Sequence, residues 1–219
     1  MCRTTTPLCP IASFTMCNVA RLQRTTPQSV LDPFCRSCST LLSAAHLASS
    51  HMPEGPATGC RSVGIEVCHN GHINREHIVK DFTTRCLPPP VEIIRGDCFS
   101  YEVRERARNA IGVGPFDLIV TDPPYGIREA MSPGNNEESP LTRLFHAIDQ
   151  DRRRGSPLLK RGGRLVAFVP VRQGEQLEDC LLNLTSQRKV GLVMNSEGRE
   201  QVLSNALWRW LVSFRYVSD

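Results

Sequence analysis

The chain has 219 residues, of which 40% are hydrophobic and 22% charged, and its formal net charge is +4. This length suits one α/β domain with a full core or two small domains, and no apolar run approaches the roughly 18–20 residues that a membrane helix needs. Residues 1–7 lack the apolar core of a secretory signal, so we expect a cytoplasmic protein without a membrane partner. The mild positive charge permits a nucleic-acid partner but does not require one.

Short apolar segments alternate with longer amphipathic ones along the chain. Seven segments predict strands: 29–32, 63–67, 91–95, 116–121, 164–169, 189–195 and 208–216. Six segments predict helices: 10–23, 39–50, 74–82, 101–110, 141–153 and 175–184. This alternation predicts a doubly wound α/β domain, and the short link 196–205 predicts an antiparallel last strand. We assign residues 1–28 to a lead-in segment with a helix and 29–219 to the main domain, and we expect a polar loop at 132–140.

Ten cysteines are scattered along the chain, and free thiols are the expectation for them. Cys35-x-x-Cys38 is a candidate redox or zinc pair. A second candidate metal set consists of Cys60, Cys68, His69 and His72. Neither set has a second pair at the spacing of a zinc finger, so we predict no metal site.

Acidic residues mark the ends of four consecutive predicted strands. They are Asp32, Glu66, Asp97 and Asp122. Open parallel sheets bind ligands at the edge formed by their carboxyl strand ends. There Glu66 can accept both ribose hydroxyls of a nucleoside cofactor, Asp97 can accept from an adenine amine, and Phe34 with the following turn can pack against a methionine part. Each acid also has a structural interpretation: Asp32 as the start of a turn, Glu66 as a solvated strand end, and Asp97 as a helix cap.

The most informative segment is Asp122-Pro123-Pro124-Tyr125, which follows the apolar strand 116–121. The prolines fix φ and lack an N–H, so the chain leaves the strand on an extended path with carbonyls free to accept hydrogen bonds. The acid adds an acceptor, and the tyrosine adds a flat stacking face. Together these groups suit a planar ring with an exocyclic NH₂, although the same residues also suit a plain proline turn.

These segments resemble a known family, the catalytic subunit of tRNA (guanine-10-N2)-methyltransferase of the eukaryotic and archaeal type. The most specific match is FDLIVTDPPYGIRE at 116–129, because its last five residues separate this family from most other enzymes with an Asp-Pro-Pro-Tyr turn. Further matches are TP at 6–7, ASFTMCN at 12–18, VLDPFC at 30–35, GGRLV at 162–166, NSE at 195–197 and RWLV at 209–212. The resemblance implies the Rossmann-like fold of class I S-adenosylmethionine methyltransferases, with a seven-stranded sheet and an antiparallel last strand.

The resemblance also implies a reaction, namely methyl transfer from S-adenosylmethionine to the exocyclic N2 amine of a guanosine in tRNA. The catalytic site would consist of Asp122, Pro123, Pro124 and Tyr125. The cofactor would be held by Thr6, Asp32, Phe34, Cys35, Glu66, Asp97 and Cys98. The RNA would be contacted by Gly126, Arg128 and Glu129.

In the implied mechanism the target guanine leaves its stack and stacks on Tyr125. Asp122 and the Pro123 carbonyl accept the N2 hydrogens and thereby align the amine. Asp122 can then receive a proton. The partners implied are tRNA and a small zinc-containing activator subunit, which would leave an exposed apolar patch on the isolated domain.

Two features depart from the family pattern. Arg36 and Cys38 stand where the family's cofactor loop has glycines, and glycine is used there because the backbone turns tightly, sometimes with positive φ. We therefore expect Arg36 to strain the turn or to fill the pocket for the methionine part. The resemblance begins near Thr6, whereas the family carries an N-terminal RNA-binding region with a THUMP domain, so we expect weak tRNA capture unless another chain supplies this module.

Two alternative functions stay open on the sequence. One is a catalytically silent family member that binds a partner, and the other is an amino-methyltransferase that acts on DNA adenine or protein glutamine. The basic residues of 152–154, 160–161 and 164 are either phosphate contacts or a solvated helix end.

Overall fold

The computed structural model describes residues 8–23, 26–49, 59–67, 74–112, 114–125, 138–185, 192–196, 200–204 and 207–217. None of the helices in these ranges combines the length and the apolar character that crossing a bilayer requires.

One mixed sheet forms the centre of the molecule. Its strands in the described ranges are β1 Ser29–Asp32, β2 Arg61–Glu66, β3 Glu92–Arg95, β4 Phe116–Thr121, β5 Leu159–Arg172, β6 Leu192–Ser196, β7 Glu200–Ser204 and β8 Leu207–Tyr216. Their order is β3-β2-β1-β4-β5-β8-β6, with β7 also paired to β8. Strands β1 to β5 are parallel, and β8 is antiparallel to β5. The seven predicted strands and the antiparallel last strand are confirmed.

The prediction of a short link at 196–205 needs a correction, because this segment contains an additional strand, β7. β6 pairs with the carboxyl half of β8 and β7 pairs with its amino half, so the two form one interrupted edge strand. β5 is also longer than predicted, beginning at Leu159. Residues Lys160 to Gly163 are polar or glycine, so their sequence does not predict a strand. In the structure they belong to β5, and the pairing of β5 with β4 shifts register beside them.

Six helices of the described ranges cover the sheet. They are α1 Pro10–Val19, α2 Ser39–Ser49, α3 Arg75–Thr84, α4 Tyr101–Ala110, α5 Pro140–Arg153 and α6 Leu177–Thr185. Side-chain caps define several starts: Asn74 accepts from the Glu76 N–H at 2.9 Å, and Ser139 accepts from the Thr142 N–H at 3.1 Å. The first helix is shorter than predicted, because the chain turns at Arg21, which has a φ of +58°.

The helices lie on both faces of the sheet and bury two apolar cores. Helices α1, α2 and α3 pack on one face, with Met16, Leu41 and Phe82 against β-strand residues that include Val166 and Leu211. Helices α4 and α5 pack on the other face, where α6 also contributes partly buried side chains. The two layers leave the carboxyl ends of β1 to β4 as the common edge at which the predicted site residues lie.

Candidate active site

The four predicted strand-end acids come to one edge of the sheet. Their strands lie side by side in the order β3-β2-β1-β4, so Asp97, Glu66, Asp32 and Asp122 follow one another along that edge. Glu66 and Asp32 are buried, with 6% and 2% of their surface exposed. The remaining predicted residues Thr6, Gly126, Arg128 and Glu129, and most of the predicted polar loop, lie outside the described residues.

Asp32 holds the first strand end together. Its Oδ1 accepts from the Thr121 hydroxyl at 2.7 Å and from the Phe34 N–H at 3.1 Å, while its Oδ2 accepts a short bond from the Thr40 hydroxyl. Burial raises the pKa of Asp32 to about 6, against the opposing effect of these donors. The carboxylate thus ties β1 to β4 and α2, and the interpretation of Asp32 as the start of a turn is also correct, since the Phe34 bond closes one.

The loop between β1 and α2 adopts a glycine-like backbone without glycines. Arg36 and Cys38 have φ values of +42° and +59°, a region that costs a residue with a side chain roughly 1–2 kcal/mol. The Cys35 N–H donates to the Ile65 carbonyl at 3.0 Å, which fixes the loop on β2. The expected strain at Arg36 is therefore present, since the loop has the left-handed backbone that glycine adopts most easily.

The thiols of this loop are not a reactive pair. Cys35 and Cys38 are buried, with 3% and 0% exposure. The neighbouring Cys38 thiol and burial raise the pKa of Cys35 well above its ordinary value, which keeps the thiol protonated and unreactive. The cysteines among the described residues are all free, and these residues contain no cluster of side chains that could hold a metal ion. Cys68, His69 and His72 lie outside the described ranges.

Asp97 does not cap the following helix, so that interpretation is wrong. Its Oδ1 accepts from the Phe99 N–H at 2.9 Å, whereas the cap of α4 is Ser100, which accepts from the Val103 N–H at 3.4 Å. The tight turn presents the Phe99 ring to Phe34 at a centroid distance of 5.9 Å. The Arg143 guanidinium lies 3.7 Å from the Phe99 ring centroid, so two aromatic rings and a cation lie together beyond the ends of β1 and β3.

Asp122 and Tyr125 form one bonded cluster with Arg209 of β8. Arg209 Nη1 donates to Asp122 Oδ2 at 2.9 Å and to the Tyr125 hydroxyl oxygen at 2.9 Å, and the Tyr125 hydroxyl donates a short bond to Asp122 Oδ1. Burial raises the pKa of Asp122, an effect that the Arg209 charge opposes. Burial and the adjacent Asp122 also raise the pKa of the Tyr125 hydroxyl, which stays neutral.

Sequence reasoning missed the role of Arg209. Its Nε donates to Gln201 Oε1 at 2.9 Å, and its guanidinium lies 3.9 Å from the Phe168 ring centroid. It is 5% exposed and stands in the apolar strand β8. A charged residue inside a buried strand was the available signal, since such residues are rare unless they are paired.

A narrow cleft separates the loop after β1 from Asp122. Its volume is about 40 Å³, and its lining residues are Leu8, Asp32, Phe34, Cys35, Arg36, Ser37, Ser39, Thr40 and Asp122. Pockets for small ligands occupy about 300–1,000 Å³, so the cleft does not seat a ligand as its side chains stand. Arg36 is half-buried and contributes favourable charge to Asp122, and a rotation of this long side chain would widen the cleft.

A nucleoside cofactor such as S-adenosylmethionine fits the remaining donor set. Glu66 and Asp97 supply acceptors beside the Phe34 and Phe99 rings, where a ribose and an adenine could be held. The methionine part would require Arg36 to move. Acceptors for the nucleoside part are therefore present, whereas the methionine part depends on one side chain.

A larger cavity lies elsewhere, away from the predicted site residues. It has a volume of about 480 Å³ and is lined by α6 and by residues of β5, β6 and β8, among them Trp208 and Trp210. Residue parity along β8 places these tryptophans on the face opposite Arg209. None of the strand-end acids lines this cavity, so the smaller cleft remains the candidate active site.

The basic residues of the second half are mostly paired. Arg152 and Arg153 contact Asp149 at 2.9 and 2.8 Å. Lys160 contacts Asp117 at 3.2 Å. For Arg152 and Arg153 these ion pairs at the end of α5 favour the interpretation as a solvated helix end over phosphate contacts. Arg164 has no carboxylate partner among the described residues.

The fold is shared with solved methyltransferase structures. A methyltransferase from Pyrococcus furiosus superposes with a TM-score of 0.55 at 14% identity, over 95% of this chain and 83% of that one. An rRNA methylase from Streptococcus thermophilus gives 0.56 at 12% identity, over 98% and 100%. A candidate class I S-adenosylmethionine-dependent methyltransferase from Listeria monocytogenes gives a TM-score of 0.60 at 14% identity. The match covers 95% of this chain but only 59% of that protein.

These likenesses confirm the predicted fold class, the Rossmann-like sheet of class I S-adenosylmethionine methyltransferases. At such low identity they carry the fold alone. No protein-family model matches the chain, and no curated protein matches its sequence.

Proposed function

We propose that the chain is a methyltransferase domain that transfers a methyl group from S-adenosylmethionine to the exocyclic N2 amine of a guanosine in tRNA. One observation carries the proposal: in a methyltransferase fold, the Asp122 carboxylate stands at the carboxyl end of β4 and is held by Tyr125 and Arg209. The segment FDLIVTDPPYGIRE, similar to the tRNA guanine N2 family, supports the choice of substrate.

In this proposal the chain's residues bind and align the amine. Each Asp122 oxygen keeps a free lone pair after its bond to Tyr125 or Arg209, so the carboxylate can accept an N2 hydrogen together with the Pro123 carbonyl. Arg209 would keep Asp122 ionised against the effect of burial, and Asp122 would receive the proton that the amine loses. The bound cofactor would supply the electrophilic methyl group, with Glu66 and Asp97 as acceptors for its nucleoside part.

The Tyr125 interpretation needs one refinement within the proposal. Its hydroxyl is engaged with Asp122 and Arg209, so the ring is fixed and only half-buried. A flipped guanine would therefore stack on a Tyr125 ring that is already held in place, which lowers the entropic cost of stacking.

Methyl-label transfer from S-adenosylmethionine to a tRNA transcript and to a DNA duplex tests this proposal. We expect label in tRNA that Asp122→Asn reduces at least tenfold, with the label on guanosine N2 after nucleoside digestion. Label in DNA but not in tRNA would favour the adenine amino-methyltransferase instead.

A second candidate function, a catalytically silent partner-binding domain, is favoured by Arg36. This residue has the left-handed backbone and narrows the cleft to about 40 Å³. Calorimetric titration separates the two functions: no heat of binding at millimolar S-adenosylmethionine would exclude the enzymatic function.

A small zinc-containing activator subunit remains part of the proposal, as does a cytoplasmic location. The exposed apolar side chains Met194 and Val202, with 43% and 63% exposure, are consistent with a surface that a protein partner covers. Co-expression of the two chains, followed by size-exclusion chromatography, tests whether a complex forms.

A further inference from the structure

Three arginines from three elements converge at the edge of the sheet opposite the active site. Arg164 of β5 and Arg215 of β8 are direct cross-strand partners. Arg21 follows α1, and its charge acts on Arg164 together with that of Arg215. Among the described residues, no carboxylate lies within ion-pair distance of any of the three guanidinium groups.

This arrangement is unfavourable for the fold taken by itself. Directly opposed side chains on antiparallel strands have Cβ atoms about 4.5–5.5 Å apart, and like charges at that separation are destabilising. Other cations of the second half do have carboxylate partners: Lys160 is paired with Asp117 and Arg153 with Asp149. A cluster that has no carboxylate partner among the described residues, beside cations that do have one, is suited to an external anion.

We propose that Arg21, Arg164 and Arg215 form a phosphodiester-binding site for the RNA backbone. The proposal rests on the proposed RNA-directed function and adds a contact region to it. Arg21 and Arg215 are exposed and Arg164 is half-buried, so the site is an open surface rather than an enclosed pocket for a small anion.

The position of the site favours a polymer over a mononucleotide. Arg209 and Arg215 lie on the same face of β8, and six residues of strand separate them by about 20 Å. A ligand that contacts both Asp122 and the arginine cluster must therefore be extended. Phosphate contacts of this kind fix the register of a nucleic acid without reading its sequence.

The test is the salt dependence of tRNA binding by the full chain, measured by fluorescence anisotropy. The variant Arg164→Gln/Arg215→Gln removes two positive charges. The control Arg106→Gln/Arg153→Gln removes the same number from two exposed arginines that are paired with Glu92 and Asp149. At about 0.15 M salt, losing two phosphate contacts should weaken binding about 10- to 30-fold and lower the slope of log K against log salt by about 1.4–1.8. The control should change binding less than about threefold.

Thermal unfolding separates a binding role from a structural one. Because the double variant relieves like-charge repulsion, its Tm should equal or exceed that of the wild type while its RNA affinity falls. Equal affinity losses in both variants would reduce the effect to net charge and overturn the proposal. Arginine-dependent binding to anionic phospholipid vesicles without a loss of RNA affinity would also overturn it, in favour of a lipid headgroup.

The outcome is distinguishable from that of the proposed function. Methyl transfer to tRNA with unchanged affinity in the Arg164→Gln/Arg215→Gln variant would refute the phosphate site alone. Arginine-dependent RNA binding without any methyl transfer would refute the enzymatic function and leave the site standing.

Discussion

Arg209 and Asp122 join the last strand to the turn after β4, with Nη1 of Arg209 donating to Oδ2 of Asp122 at 2.9 Å across 87 positions of sequence. The side chains are 7% and 23% exposed, so the pair is largely removed from water. Burial raises the pKa of Asp122, and the positive charge of Arg209 is the largest opposing effect. The protonation state of the candidate active site thus depends on a residue of β8.

Arg209→Gln should raise the pKa of Asp122 further, because burial is then opposed less. A higher pKa shifts the acid limb of methyl transfer to higher pH, and the lost bonds to a charged group should cost about 2–3 kcal/mol of stability. Carbon-detected NMR titration of Asp122 measures the pKa directly. Arg215→Gln, on the same face of the same strand, is the control and should leave the Asp122 pKa where it is.

Local sequence patterns predicted the strand ends, and the family resemblance predicted the strained loop, but neither predicted the pairing between them. The order of acids after β1 to β4 follows from hydrophobic runs and their boundaries, which are local properties. Strain at Arg36 was expected because Arg36 and Cys38 stand where the similar family has glycines, and both residues have positive φ.

Side-chain partners distant in sequence could not be predicted in the same way. The contact of Arg209 with Asp122 depends on the antiparallel register of β8 against β5, which no local pattern specifies. Likewise Asp97 and Ser100 are both good helix caps, and only the structure shows that Ser100 caps α4 while Asp97 closes the preceding turn.

Asp32 should make stability depend on pH. Its folded pKa is raised from 3.8 to about 6, so the fold prefers the protonated carboxyl. Its contribution is fully present below the unfolded pKa and is lost as pH rises toward about 6. Relative to Asp32→Asn, which does not titrate, the wild type should lose about 3 kcal/mol of unfolding free energy between about pH 3 and pH 7.

Urea denaturation of both proteins across this pH range provides the measurement. The difference between the two proteins isolates Asp32, because the other titrating groups cancel. A difference that stays constant with pH would mean that the hydrogen bonds from Thr40 and Thr121 offset burial completely.

Arg104 should matter far more to folding than Arg106, although both lie on α4 and both are ion-paired. Arg104 is 1% exposed and contacts the buried Asp151 through Nε and Nη2 at 2.7 and 2.8 Å, and it donates to the Phe99 carbonyl at 2.7 Å. Arg104→Met removes both charged bonds that Arg104 makes to the buried Asp151 and leaves that carboxylate with Arg108, at 3.1 Å, as its remaining ion pair among the described residues. The change should cost about 3 kcal/mol, the lower end of the range for breaking a buried ion pair. Arg106→Gln removes an exposed pair with Glu92 and should cost less than about 1 kcal/mol.

Denaturant unfolding checks this contrast, and the triple variant Arg104→Met/Arg108→Met/Asp151→Leu refines it, because Arg108 also contacts Asp151 and is itself buried. If the cost arises from the weakened pairing of a buried charge, removing all three charged groups should recover much of the stability that Arg104→Met loses. Similar losses in Arg104→Met and the triple variant would instead assign the effect to the Cys98 and Phe99 carbonyls that Arg104 holds.

Arg36 should control access of the cofactor through two separable effects, the bulk of its side chain and the strain of its backbone. Arg36→Ala removes the guanidinium but keeps a Cβ at a φ of +42°, so it should open the cleft and raise affinity for S-adenosylmethionine without relieving strain. Arg36→Gly should do both, with a relief of about 1–2 kcal/mol partly offset by the greater freedom of glycine in the unfolded chain, about 0.4–1 kcal/mol. Calorimetric titration and urea denaturation measure the two effects independently. Ser37→Gly is the control, since Ser37 is not among the residues with positive φ, and it should only destabilise. Equal cofactor affinity in the wild type, Arg36→Ala and Arg36→Gly would show that Arg36 does not obstruct the cleft.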